Sequence, residues 1–206
     1  MRLNISEQVK LTPRQLAQWE EVMTAFTWTA SAFTHILYDM LNPEKGTMVA
    51  TFLGPNKVPE WFRAGTNGKR VFIVAERFFC LPLLQQIFLL AHEVGHPACG
   101  HIIAAAYYRQ KGFIEVGMKK FPFNDMLANF AQDYVLNDML IESRIGEFIE
   151  GGCWDKTIGT YKDSWIDVYE KLYHECEKQR GKTQDGDGKP VDPDKGDDGK
   201  SDDGKG

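Results

Sequence analysis

From Leu16 through Trp19, Val22, Met23, Phe26, Phe33, Ile36, Leu37 and Met40, apolar residues return at the spacing of one helix face. Thr12-Pro13-Arg14-Gln15 precedes them, with Thr as N-cap, Pro at the first helical position and Gln placed to close a capping box. One long helix or two are expected, ending before Asn42-Pro43. The pattern then changes. Thr47 to Leu53 is β-branched and apolar, and Gly54-Pro55-Asn56-Lys57-Val58-Pro59 breaks it. Val71 to Ala75 is a second such run, behind the turn signal Asn67-Gly68, so two strands are expected. Trp61 and Phe62, between them, read as core or cleft-rim aromatics.

Leu81 to Val94 has the length and apolarity of a buried helix, with Pro82 suited to its first position. Pro97 lacks a backbone donor and clashes with the carbonyl of Glu93, so a kink or helix end is expected there. Beyond Gly100-His101, small residues and Tyr107-Tyr108 continue as a reoriented helix. A loop is expected from Lys111-Gly112 to Asn124. Asn124 or Asp125 then caps a helix from about Met126 to Ser143. Ser164 opens a last helix, with an acid at Asp167, through Tyr169, Leu172 and Tyr173 towards Cys176. His35 reads as a packed or surface residue, and His174 as a surface one.

Composition changes at Gly181. The last stretch holds eight Asp, five Lys, one Val and no aromatic residue. Such a segment buries too little apolar area to offset its ordering entropy. The expected organisation is one domain over 1–180 and a disordered acidic tail or linker over 181–206, with a partner domain beyond it. Asp185-Gly186-Asp187-Gly188 lacks the spacing and final Glu of a calcium loop. The net charge is −5. No basic field points to nucleic acid or a membrane surface, and no run approaches a membrane span. Met1 to Glu7 has no apolar signal region. Cys80, Cys99, Cys153 and Cys176 form no C-x-x-C pair, so reduced, mostly buried thiols in a cytoplasmic protein are expected.

The chemistry centres on His92-Glu93-Val94-Gly95-His96. On a helix His92 and His96 lie about 40° apart around the axis, so two neutral imidazoles can hold one Zn²⁺. Glu93 stands beside them as general base for water. Two core histidines under a surface glutamate would instead leave a charge and two rings unpaired. On the later helix, Asn129, Asp133 and Asn137 form a polar stripe among Phe130, Val135, Leu136, Met139 and Leu140. A buried stripe of that kind needs partners, and a metal centre supplies one. Asp133 is the favoured third ligand, since a separate helix can cross the first. His101 and Glu142 are the alternatives. On a straight helix His101 would point about 180° away from His92, so it needs a sharp break at Pro97 or Gly100.

The His92–His96 stretch resembles the active-site helix of the zincin metallopeptidases. Thr66 to Ile73, His101 and Asn129 to Asn137 follow in an order similar to the predicted metallopeptidase domain found ahead of von Willebrand A-like domains in bacterial and phage proteins. The resemblance spans roughly residues 47–172. It implies an α+β fold, zincin-like and mostly helical, with a small sheet packed on the active-site helix. It implies one zinc per chain and hydrolysis of a peptide or protein substrate, with Val71 to Ala75 at the sheet edge pairing with that substrate. Asp133 sits at the Asp of the Ala-x-Asp-x-x-x-Asn segment, where Asn129 and Asn137 would orient it. Metzincins carry a third histidine in H-E-x-x-H-x-x-G-x-x-H, whereas His101 comes one position early. An oxyanion helper is also expected, from Tyr134, Tyr107 or Tyr108. The alternative is a zinc-stabilised module that cleaves nothing and works with a von Willebrand A-like domain or an ATPase.

Overall fold

The computed structural model describes residues 8–44 and 46–184. Its first apolar period becomes two helices, α1 (Pro13–Thr29) and α2 (Thr34–Asp39), joined by a 3₁₀ turn at Ser31–Phe33. The capping box is present: Gln15 N–H donates to Thr12 Oγ1 at 3.3 Å, and Thr12 N–H donates to Gln15 Oε1 at 3.0 Å.

The run from Thr47 to Leu53 divides at Ala50. Its first half, β2 (Thr47–Val49), pairs antiparallel with β1 (Asn42–Glu44). Its second half, β3 (Thr51–Leu53), joins a mixed three-stranded sheet with β4 (Ala64–Thr66) and β5 (Val71–Val74). In that sheet β5 is central, parallel to β3 and antiparallel to β4. The expected edge strand is therefore an inner one. All four of its residues, Val-Phe-Ile-Val, are buried, as a strand covered on both faces requires. The Asn67-Gly68 turn joins β4 to β5, with Gly68 at φ +82 and Asn67 Oδ1 accepting from Lys69 and Arg70.

A short helix, α3 (Ala75–Phe79), leads into α4 (Leu83–Ala98). Pro82 is its N-cap rather than its first residue. Buried Gln86 fixes the entry by donating to the carbonyls of Phe78 and Leu81, both at 3.0 Å. Pro97 falls within the last turn and does not stop the helix. Gly100 does, at φ +72, and α5 (His101–Lys111) begins on its far side.

Where a loop is expected after Gly112, the chain forms a hairpin, β6 (Phe113–Val116) with β7 (Lys119–Pro122). Ile114 and Phe121 face each other across it and are both buried. Next comes α6 (Asp125–Glu142), capped by the Asn124 side chain on Leu127 N–H at 3.0 Å. The last helix, α7 (Trp165–Gln184), runs past the expected domain end at residue 180. Residues 185–206, where the rest of the acidic tail falls, lie outside the described residues, as do Met1 to Glu7.

The fold is α+β, mostly helical, and two apolar clusters hold it. The first gathers α1, the three-stranded sheet and α4 around Trp19, Phe26, Phe78 and Leu90. The second gathers the β6–β7 hairpin and the start of α7 around Ile114, Val168 and Tyr169. Helix α6 serves both, giving Leu136 and Leu140 to one and Ala128 and Ala131 to the other. The chain divides into two units between Tyr173 and His174; the second carries the end of α7, with an Arg180–Glu177 ion pair at 3.1 Å. No disulfide forms among the described residues. Cys80, Cys99 and Cys176 are exposed and Cys153 is partly buried, contrary to the expectation of mostly buried thiols. No helix among the described residues is long and apolar enough to cross a membrane.

Candidate metal centre

Helices α4 and α6 cross where the motif carries its glycine. A Cβ on Gly95 would stand 2.6 Å from Leu136 Cδ1, so any larger residue there must push the buried Leu136 side chain aside. Leu136 is buried; Asp133, three residues before it, shares its side of α6, and Asn137 lies one turn on from Asp133 on the same face as that carboxylate. The close approach at Gly95 thus brings one turn of α6 against His92 and His96.

Three atoms meet there. His92 Nε2 and His96 Nε2 are 3.2 Å apart, and Asp133 Oδ1 lies 3.5 Å from the first and 3.2 Å from the second. Two ligands of a tetrahedral zinc, bonded at about 2.0–2.1 Å, stand about 3.3–3.4 Å from each other. The observed triangle has the size of one face of that tetrahedron. Asp133 Oδ1 is buried and accepts no hydrogen bond despite its nearness to both rings. A carboxylate oxygen left so is costly unless a cation takes its lone pair. Among the described residues these three form the group able to hold a metal.

Each ligand is held from behind. Asn129 Nδ2 donates to Asp133 Oδ2 at 2.9 Å. Asn137 Nδ2 donates to the Cys153 carbonyl at 2.9 Å, which leaves its Oδ1 to accept from His92 Nδ1 at 2.7 Å. His101 Nδ1 lies 3.1 Å from His96 Nδ1. The left-handed turn at Gly100 supplies the break that His101 needs, but it delivers His101 behind His96 and outside the triangle. Glu142 is exposed and pairs with Lys156 at 2.6 Å, far from ligation.

Burial governs the protonation of the site. It lowers His92, against the charge of Asp133, and brings His96 down to about 4. His101 falls to about 3 through burial and its two histidine neighbours. All three rings are therefore neutral near pH 7, the form that ligates metal. Burial raises Asp133 to about 6, and burial with the Asp133 charge raises Glu93 to about 8. Two carboxylates resisting ionisation beside neutral rings describe a place short of positive charge.

The triangle opens on a cavity of about 260 Å³, floored by Phe88, Leu89, His92 and Glu93 of α4 and by Asp133 and Asn137 of α6. Trp61, Phe62, Arg63 and Ala64 form one wall. Arg77 holds it, its guanidinium donating to the carbonyls of Pro59 and Phe62 at 2.6 and 2.5 Å and of Pro55 at 3.2 Å. Phe148, Ile149 and Gly151 to Cys153 form the other wall. It docks through Gly146, at φ +69, where a Cβ would stand 2.5 Å from the Leu84 carbonyl oxygen, and through Glu147 N–H donating to that oxygen at 3.0 Å. A larger cavity of about 530 Å³ between α1 and Met48 has Glu20 as its one acid and no histidine among its lining.

The tyrosines stand elsewhere. Tyr134 follows Asp133 by one position, about 100° around the helix, and packs in the second apolar cluster. Tyr108 stacks on Phe123 and meets Trp165 edge to face, and Tyr107 is exposed. None lines the cavity. Trp61 and Phe62 stand at the cavity wall, within the core-or-cleft-rim role expected of them, whereas Arg63, Phe148 and Ile149 lie in loops without a motif. Compared with protein-family models, curated proteins and solved structures, the chain finds no match.

Proposed function

We propose that the chain is a zinc-dependent peptidase of the zincin type, hydrolysing peptide bonds in the cavity above α4. The convergence of His92 Nε2, His96 Nε2 and the unpartnered Asp133 Oδ1 carries this reading. Structural zinc sites close around four protein ligands, whereas catalytic ones use three and stay open on one side. Here the open side faces the cavity. When bound, zinc supplies the Lewis acidity that polarises a carbonyl and makes water nucleophilic near neutral pH.

The chain's own residues do the rest. Glu93, buried at the cavity floor and held ionised when a cation in the triangle offsets its burial, takes a proton from the attacking water and returns it to the leaving amine nitrogen. Asn129, Asn137 and His101 keep the ligands in place. The edge role expected for β5 passes to β4, which among the described residues pairs with β5 alone, touches α4, and gives Ala64 to the cavity. An extended peptide can add to that free edge through main-chain hydrogen bonds.

Two imidazoles and one carboxylate also suit ferrous iron. Glu93, which is outside the triangle, favours hydrolysis, because a base beside the ligands has no task in a purely structural site. The test joins metal analysis of the purified protein to Glu93→Gln. One zinc per chain in both proteins, with peptide hydrolysis in the wild type alone, is the expected result. Zinc in both and hydrolysis in neither would favour the zinc-stabilised interaction module, and iron would refute the zinc assignment.

A further inference from the structure

The cavity has a charge pattern as well as a metal triangle. Its lining includes two acids, Glu93 and Asp133, and one cation, Arg63. A divalent metal balances the two acids, which leaves the guanidinium as surplus positive charge. Arg63 has no ion pair and no side-chain hydrogen bond among the described residues, whereas nearby Arg77 spends its guanidinium on three carbonyls. Its backbone is fixed even so, because the Arg63 carbonyl accepts from Val74 N–H at 2.8 Å, at the entry to β4. Around it the walls are apolar, with Trp61 and Phe62 on its own side and Phe148 and Ile149 opposite. At about 260 Å³ the space lies below the usual range of ligand cavities, roughly 300–1,000 Å³, and suits a side chain or two of an extended peptide.

From this arrangement we propose that the site selects peptides presenting a carboxylate beside a large apolar residue, with Arg63 binding the carboxylate and the aromatic walls taking the apolar side chain. The inference rests on the peptidase reading for its substrate class. The planar guanidinium binds a carboxylate through two parallel N–H donors, a geometry that an amide does not return. The carboxylate can belong to an Asp or Glu side chain or to a free C-terminus.

The experiment measures binding first, so that it does not depend on turnover. Zinc-loaded Glu93→Gln protein is titrated with fluorescent peptides that differ only in Glu, Gln or Lys next to a Phe, all amidated. A further pair places a free or amidated C-terminus at the same point. Because the Arg63 side chain is exposed, about two- to five-fold tighter binding of the carboxylate peptides over their neutral counterparts is expected. Adding Arg63→Ala should bring that ratio close to one, Arg63→Lys should keep part of it, and Arg63→Glu should favour the Lys peptide. The internal-Glu and C-terminal arms tell the two sources apart. A ratio unchanged by Arg63→Ala, in protein that keeps its zinc, overturns the proposal, as does the absence of any carboxylate preference. Carboxylate-selective binding without wild-type hydrolysis would uphold this inference and defeat the peptidase; hydrolysis without selectivity would do the reverse.

Discussion

His96 and His101 face each other Nδ1 to Nδ1 at 3.1 Å, across the left-handed turn at Gly100. One of the two nitrogens must carry the proton. With a metal on His96 Nε2, its Nδ1 would be the donor and His101 Nδ1 the acceptor, with the His101 proton on Nε2. His101→Ala should therefore keep the metal but weaken its binding about 10–100-fold, the usual effect of losing a partner behind a ligand. Nitrogen-15 NMR of the zinc-loaded protein should show His96 protonated at Nδ1 and His101 at Nε2. Reversed tautomers, or unchanged affinity in His101→Ala, would refute the assignment.

Asp133→Ala removes a corner of the triangle and should empty the site under conditions in which His101→Ala still holds metal. Dialysis of both variants against a weak chelator, followed by metal counting, checks this. Full zinc in Asp133→Ala would show that the third ligand lies elsewhere.

Gly95→Ala places a methyl group 2.6 Å from Leu136 Cδ1. Overpacking of this kind costs about 1–3 kcal/mol, and it also moves Asp133 away from the histidines. Lower urea stability and weaker zinc binding should appear together. Adding Leu136→Ala makes room and should recover metal affinity ahead of stability. If Gly95→Ala binds zinc as the wild type does, the crossing does not set the ligand spacing.

Glu93 lies at about 8 against an ordinary 4.5. The folded protein thus holds this proton more tightly than the unfolded chain. The stability so conferred is full below the unfolded value and is lost as pH rises through about 8. Chelated Glu93→Gln should accordingly be more stable than chelated wild type at pH 9, by a few kcal/mol at most, with little difference at pH 5. Zinc should narrow the gap at pH 9 by stabilising the ionised carboxylate. Equal melting of the two chelated proteins at pH 9 would contradict the burial of Glu93.

What could be read from the chain was what local spacing encodes. His92 and His96 declare themselves because four residues on a helix make one face, and Asp133 because a carboxylate is out of place among Phe130, Leu136 and Leu140. The second wall escaped because Gly146 meets Leu84 across some sixty residues and leaves no periodic trace. Arg77 reaches back to Pro55, Pro59 and Phe62 in the same hidden way. The β6–β7 hairpin was obscured by its lysines, Gly117 and Pro122, with only Ile114 and Phe121 buried and Val116 packed beside them. The resemblance puts Val71 to Ala75 at the sheet edge, whereas an unbroken apolar run such as Val71 to Val74 belongs inside a sheet, where it lies.

Helix α4 also works as a ruler. It carries Phe88 and His92, a corner of the candidate metal triangle, one turn apart, and both line the same cavity. Four residues of helix advance about 6 Å, close to the length of two residues of extended chain. A chain lying along the cavity would therefore meet the apolar floor and the triangle within a dipeptide's length. Because the interval is built into one rigid element, shifting the ligands by a single position would rotate them about 100° off the cavity rather than lengthen the reach.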